Sequence, residues 1–199
     1  MRSNIPNVRE FGFTLIELLV VAASIGILLS IAVPNLLKAI ISSNEANARK
    51  ALQTMKDAEY EYFEQDLDDN GDRDFTNLIG VLGTAGSLRD PSGTNLNEDS
   101  LIDNTFEQAV INDRSPASES NCINPKAGYC ISWSSDAGND VQSLRGDFGW
   151  EASMTSAKRN GRKDLSAYAD KVIKCTVTTQ TSGQRGTFES GNTDSDCDG

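Results

Sequence analysis

The chain has 199 residues, with 29 acidic against 18 basic side chains, a net charge of −11 and no histidine. Such acidity argues against a duplex-DNA binder, which needs a basic stripe to neutralise phosphates. Without histidine the Ser-His and Cys-His nucleophile arrangements are excluded, and zinc is disfavoured because no cysteine pair has C-x-x-C spacing.

Met1 to Gly12 is short and polar, carries Arg2 and Arg9, and ends in glycine. Next comes an apolar run, Phe13 to Val33, whose only charge is Glu17. A hydrocarbon core about 30 Å thick needs roughly 20 such residues of helix, so the run is long enough to cross it. A carboxylate inside it costs on the order of 3 kcal/mol, which marks Glu17 as a functional position. A secretory signal has its small-residue cleavage site after the apolar region. Here the small-residue junction stands before it, so cleavage there would keep the helix.

Pro34 removes one backbone bond from the helical pattern, and Gly26 adds a second soft spot. Beyond them Leu37, Ile41, Ala48, Leu52, Met55 and Tyr62 recur at helical spacing, so the helix continues as an amphipathic one. Glu45 with Arg49, and Asn44 with Asn47, stand off that stripe. From Phe13 to Phe63 such a helix would run roughly 75 Å at 1.5 Å per residue.

These residues resemble the type IV pilin and type II secretion pseudopilin family. The match is close from Gly12 to about Phe63: a leader ending in Gly12, aromatic Phe13, Thr14, Glu17 and Pro34 in the helix. The resemblance implies that a prepilin peptidase cuts between Gly12 and Phe13 and N-methylates Phe13. It also supports a role for Glu17 in meeting the Phe13 amine of a neighbouring subunit and setting axial register. Pairing of Glu17 with its own Phe13 amine, one helical turn away, is the alternative. Either pairing relieves the penalty of a lone charge in a low dielectric.

After the helix, Asp66, Asp68, Asn70, Asp72 and Asp74 alternate, with Gly71 at the sixth position. This is the first half of an EF-hand-like calcium loop, but Asn77 stands where the bidentate glutamate belongs. The other reading is an acidic, solvated turn that ends the helix. Residues 76–82 and 100–111 are short elements of undecided type, and 83–99 is a Gly-, Ser-, Asn- and Asp-rich loop. Three period-two segments predict antiparallel strands: Gly128–Trp133, Asp147–Met154 and Asp170–Thr179. Thr187 to Glu189 is a candidate edge strand. Trp133, Phe148 and Trp150 read as sheet core rather than a stacking platform. Lys158, Arg159, Arg162 and Lys163, around Asn160-Gly161, read as a solvated turn.

Four cysteines lie beyond the apolar run and read as two disulfides. Local loop closure favours Cys122–Cys130 and Cys175–Cys197 among three possible connectivities. Asp194, Asp196 and Asp198 before Gly199 form a second acidic cluster, read as a frayed tail with calcium as the alternative.

The expected fold class is α+β and pilin-like: a long N-terminal α-helix, apolar in its first half, packed against a small antiparallel sheet in a C-terminal globular head. Residues 1–12 form a leader peptide and 13–35 a transmembrane or filament-core helix. Residues 36–65 form its amphipathic continuation, and 66–199 a globular head with acidic loops. The resemblance implies a structural subunit, not an enzyme, stored as a single-pass inner-membrane protein and polymerised into a pilus or secretion pseudopilus in the periplasm or on the cell surface. Its partners would be copies of itself, other pilin-like subunits, a prepilin peptidase, an inner-membrane assembly platform and, before assembly, membrane lipid. No nucleic acid and no cofactor is expected, calcium being the one candidate. Rival readings are a minor tip subunit for adhesion or substrate binding, and a membrane-anchored calcium-binding protein that never polymerises.

Overall fold

The computed structural model describes residues 13–67, 71–83, 100–103, 105–106, 122, 124–138, 141–184 and 188–197. The leader with Gly12, the loop residues Asp68 and Asn70, Thr187, and Asp198 with Gly199 lie outside the described residues. The elements in chain order are α1 (Leu15–Gln65), α2 (Ile79–Gly83), β1 (Tyr129–Trp133), α3 (Val141–Leu144), β2 (Gly149–Met154), β3 (Lys163–Tyr168) and β4 (Ile173–Val177). The chain divides into two units, Met1–Ala39 and Ile40–Gly199. This is an α+β layout: a long N-terminal helix and a four-stranded antiparallel sheet.

In the first unit every described residue is exposed, Leu37 among them. Leu37 therefore does not join the buried stripe that its spacing suggested. That stripe begins in the second unit at Ile41 and continues through Ala48, Ala51, Leu52, Met55, Ala58, Glu59 and Tyr62. Asp66 ends α1. Its backbone adopts the left-handed conformation (φ 48°), and the Leu67 N–H reaches back to the Tyr62 carbonyl at 3.4 Å. This is the Schellman pattern, which satisfies a carbonyl that the helix end leaves unpaired.

The sheet order is β1-β2-β3-β4, each strand antiparallel to the next. Trp133 pairs with Trp150, and Ile131 with Ala152, so the apolar residues of β1 and β2 share one face. Leu165 and Ala167 of β3 and Ile173 of β4 extend it by register. With Ala48, Ala51, Leu52, Met55, Ala58 and Tyr62 of α1, and with Phe75, Ile79, Leu82, Ile102 and Phe106, these residues form one core. Trp133 and Trp150 meet edge to face at 5.4 Å, and Tyr60, Phe63, Phe75 and Phe148 form a linked aromatic cluster.

The strand Lys163–Tyr168 begins inside what read as a solvated turn and runs on through residues given no element. Its alternation is hard to see because its other face is polar yet buried: Asp164 is 1% exposed and Ser166 0%. The same holds along that face for Ser132, Ser153 and Thr178. The C-terminal segment helps cover it. Ser190 and Ser166 share a hydroxyl–hydroxyl bond of 2.9 Å, Lys174 donates to Asn192 Oδ1 at 2.7 Å, and Thr176 donates to Asp194 Oδ2 at 2.5 Å. The Cys175 N–H donates to the Ser195 carbonyl and the Cys197 N–H to the Ile173 carbonyl, both at 3.1 Å, so the tail lines the β4 edge. A frayed tail is thus wrong for Asp194 and Asp196. Cross-strand polar bonding, invisible in an acidic string, holds them down. Phe188 and Glu189 form no strand; Glu189 instead accepts the Thr179 N–H at 2.8 Å.

Disulfides join Cys122 to Cys130 and Cys175 to Cys197, with Cα separations of 5.7 and 5.3 Å. The turn between β2 and β3 packs tightly. The Tyr129 hydroxyl donates to the Lys163 carbonyl at 2.8 Å, crossing Gly161 so closely that a Cβ there would lie 1.8 Å from that oxygen. Gly161→Ala should therefore destabilise the second unit by about 2 kcal/mol, the usual cost of overpacking. Gly146→Ala, whose nearest neighbour would stand at 3.9 Å, should be close to neutral. Paired thermal denaturation curves of the two variants check this.

Candidate functional site

The first turn of α1 is built by the run Thr14-Leu-Ile-Glu17, a threonine with a glutamate three residues later. The Thr14 N–H donates to Glu17 Oε2 at 2.8 Å, and the Glu17 N–H points back to Thr14 Oγ1 at 3.3 Å. The Thr14 hydroxyl also donates to Oε2 at 2.8 Å. This reciprocal pair is a capping box, which satisfies two of the orphan donors at a helix start. Its sequence signal is Thr-x-x-Glu; a focus on charge alone passes over it. A carboxylate at this end also meets the positive pole of the helix dipole. Oε2 accepts both Thr14 donors, so Oε1 remains for a further donor.

Phe13 stands just before the helix and is 81% exposed. Beyond it Leu15, Ile16, Leu18, Leu19, Ile27, Leu28 and Ile31 all present more than half of their surface. An 18-residue window of α1 reaches a mean hydropathy of 2.5, and the helix is long and apolar enough to cross a membrane. Its serine hydroxyls are turned inward to the backbone: Ser24 donates to the Val21 carbonyl at 2.8 Å and Ser30 to the Ile27 carbonyl at 2.7 Å. Neither serine hydroxyl is left to be solvated along the rod, which suits an apolar surrounding. A Cβ on Gly26 would meet nothing within 4 Å. Pro34 lies inside α1, which runs unbroken through it. It removes one backbone donor without ending the helix.

In the second unit the acidic loop serves the helix end. Asp66 Oδ2 accepts the Gly71 N–H at 3.2 Å, and Asp72 pairs with Arg145. Asp74 is half-buried nearby in sequence, while Asp68 and Asn70 are outside the described residues. Asp66 Oδ1 is shielded from solvent and meets no hydrogen-bond donor among the described residues.

Two buried acids, Glu59 and Asp164, were not anticipated. Glu59 is 0% exposed, accepts the Trp150 indole N–H on Oε1 at 2.7 Å and accepts the Thr76 N–H on Oε2 at 3.0 Å. It ties α1 to the sheet and to the segment after the acidic loop in one contact. Its sequence signal is position: with Met55 and Tyr62 it falls on the apolar stripe. Burial pushes its carboxyl up to about 8, against the opposing pull of those two donors. Burial likewise raises Glu151 and Asp164 to about 7 each. Neither Asp164 oxygen has a partner in full hydrogen-bond geometry among the described residues, although the Ser153 hydroxyl and the Met154 and Glu189 N–H groups pull it down.

No family model matches this chain, and no solved structure matches it. Among curated proteins, one match is the "Type IV major pilin protein PilA" of Myxococcus xanthus (strain DK1622), 39% identical over 89 residues. The chain is similar to a type IV major pilin. The aligned part is 44% of this chain and 38% of that relative, so the chain spans well under half of the relative's length. The long apolar N-terminal helix fits a pilin.

The raised acids give the head a pH dependence of definite sign. A carboxyl whose folded pKa lies above its unfolded value binds its proton more tightly when folded. Its contribution is complete below the unfolded value near 4 and is lost as pH rises through the folded value. Glu59, Glu151 and Asp164 should therefore make the melting temperature fall between about pH 5 and pH 8. Asp103 and Glu189, both shifted down, act oppositely and only in stronger acid. Glu59→Gln should flatten part of that slope and cost about 1–3 kcal/mol at pH 5, because an amide cannot accept from both donors. Thermal denaturation across that pH range reads both effects.

Proposed function

We propose that this protein is a structural subunit of a type IV pilus or of a related secretion pseudopilus. It is stored in a membrane through residues 13–35 and polymerises through that helix into a filament. The carrying observation is the exposed apolar rod with a single capped acid, Glu17, at its start. The similarity to a type IV major pilin supports the pilus over the pseudopilus. In this reading a peptidase cuts between Gly12 and Phe13 and the new Phe13 amine is methylated. Glu17 keeps its own helix capped through Oε2 and offers Oε1 to the Phe13 amine of a neighbouring copy. Leaving lipid for sister helices gains through close packing, for which Gly26, Ala22, Ala23 and Ser30 leave room. Pro34 provides a weak point in the backbone ladder where the rod can adapt to its neighbours.

Electron microscopy of sheared surface fibres, with N-terminal sequencing of the main band, tests this reading. It expects fibres whose main protein begins at Phe13. Fibres composed mostly of another protein would assign this chain to a tip or minor role. Glu17→Ala should leave the processed protein in the membrane and reduce fibres by at least tenfold. Normal fibres from that variant would reject the intersubunit contact.

A second proposal concerns calcium at Asp66, Asp68, Asn70, Asp72 and Asp74. The shielded Asp66 Oδ1, without a donor among the described residues, is the observation that favours it. Calorimetric titration with millimolar calcium should release heat that Asp66→Asn abolishes; absence of both heat and thermal shift removes the proposal.

A further inference from the structure

We infer that the β2–β3 turn, through Lys158, Arg159, Arg162 and Lys163, is a docking surface for anionic phospholipid headgroups that seats the head on the membrane before assembly. The inference rests on the membrane-stored subunit proposed above and adds its lipid partner.

The turn is pinned to α1 by two bonds that leave its cationic side chains unspent. Asn44 Nδ2 donates to the Asn160 carbonyl at 2.9 Å, and the Arg162 N–H donates to Glu45 Oε1 at 2.6 Å. Asn44 comes nine residues after residue 35, where the membrane segment ends, or about 13–14 Å along a helix. Headgroups extend roughly 5–8 Å beyond the hydrocarbon core, and extended Lys and Arg side chains of the turn span the remaining distance of about 6 Å.

Lys158, Arg159 and Arg162 are exposed and Lys163 is half-exposed, and none of the four forms an ion pair among the described residues. Lys50 and Lys163 line one groove with Ser42, Glu45, Arg49 and Gln53, adding further basic charge beside the turn. The nearby acid, Glu45, is engaged by the Arg162 N–H. In a chain of net charge −11 this segregation is local. Residues 38–50 of α1 carry Lys38, Arg49 and Lys50 against Glu45, whereas residues 54–65 carry Asp57, Glu59, Glu61 and Glu64 against Lys56. Clusters of four or more cations next to a spanning helix are attracted to anionic leaflets and released by salt.

An acidic face of a second copy is the competing occupant. Asp57, Glu61 and Glu64 would be its exposed acids, but Lys56 stands 3.9 Å from Asp57 and shares a groove with Glu61, Glu64 and Lys171. That face brings its own cations, which favours lipid.

The test is amide exchange over residues 156–163 of the full chain, reconstituted in phosphatidylcholine vesicles with or without phosphatidylglycerol. Exchange should slow about tenfold in the anionic vesicles and recover at about 0.5 M salt, where screening is short-ranged. The Gln variant of all four cations should lose the slowing while exchange over β2 stays unchanged. If that variant misfolds, the pair Lys158→Gln and Arg159→Gln should still lose part of it. Equal exchange in both vesicles overturns the inference, as does slowing that tracks protein density irrespective of lipid, which assigns the turn to a second copy. Extraction of the chain from vesicles by alkaline carbonate would sink membrane storage itself, and this inference with it. A retained chain with an unprotected turn sinks this inference alone.

Discussion

An amide that meets no water must find its hydrogen-bond partner within its own segment, and α1 is built on that constraint. One continuous helix from Leu15 to Gln65, lacking the bond that Pro34 cannot donate, lets the same element serve two surroundings. Its first part shows apolar side chains on all sides and folds its two serine hydroxyls back onto carbonyls. Its second part hides a single stripe against the sheet. Both ends of the ladder are closed locally, by Thr14 and Glu17 at the start and by Asp66 and Leu67 at the finish. Glu17 is thereby given a structural task. It completes the helix as a cap, and it is the one charge in the apolar run from Phe13 to Val33.

The head answers a different problem, that of fixing a long amphipathic helix in one register on a small sheet. Apolar stripes slide, whereas a buried acid with two directed donors does not. Glu59 supplies such a lock between α1, Trp150 and Thr76. The far face of the sheet uses the same logic at larger scale. Serines, threonines and Asp164 are enclosed there, and the C-terminal segment meets several of them with hydrogen bonds and is fastened at Cys197. A head of this kind has specificity from polar matching as well as from apolar area. It also carries carboxyls that burial makes harder to ionise.

Legibility in the sequence tracked the length scale of each interaction. The helix, with Pro34 inside it, and strands β1, β2 and β4 were readable because their signals lie within a few residues of one another. Strand β3 was missed because Asp164 and Ser166 are polar at positions that the tail buries. The fixed tail was missed for the same reason, since Asp194 and Asn192 gain their meaning only from Thr176 and Lys174. Glu59 could have been noticed on the stripe, but its two donors are 17 and 91 residues away.

The sequence by itself determined the apolar rod, the lone acid in its first turn, and the α+β character of the chain, because helix and strand periods are local properties of side-chain order. Only the tertiary structure decided which polar groups lie inside. It decided that Glu59 locks the helix, that the acidic tail seals the sheet, and that the basic turn is pinned beside Asn44 and Glu45. The physical reason is that a buried hydrogen bond joins partners far apart in the chain, and nothing in the neighbourhood of either one names the other.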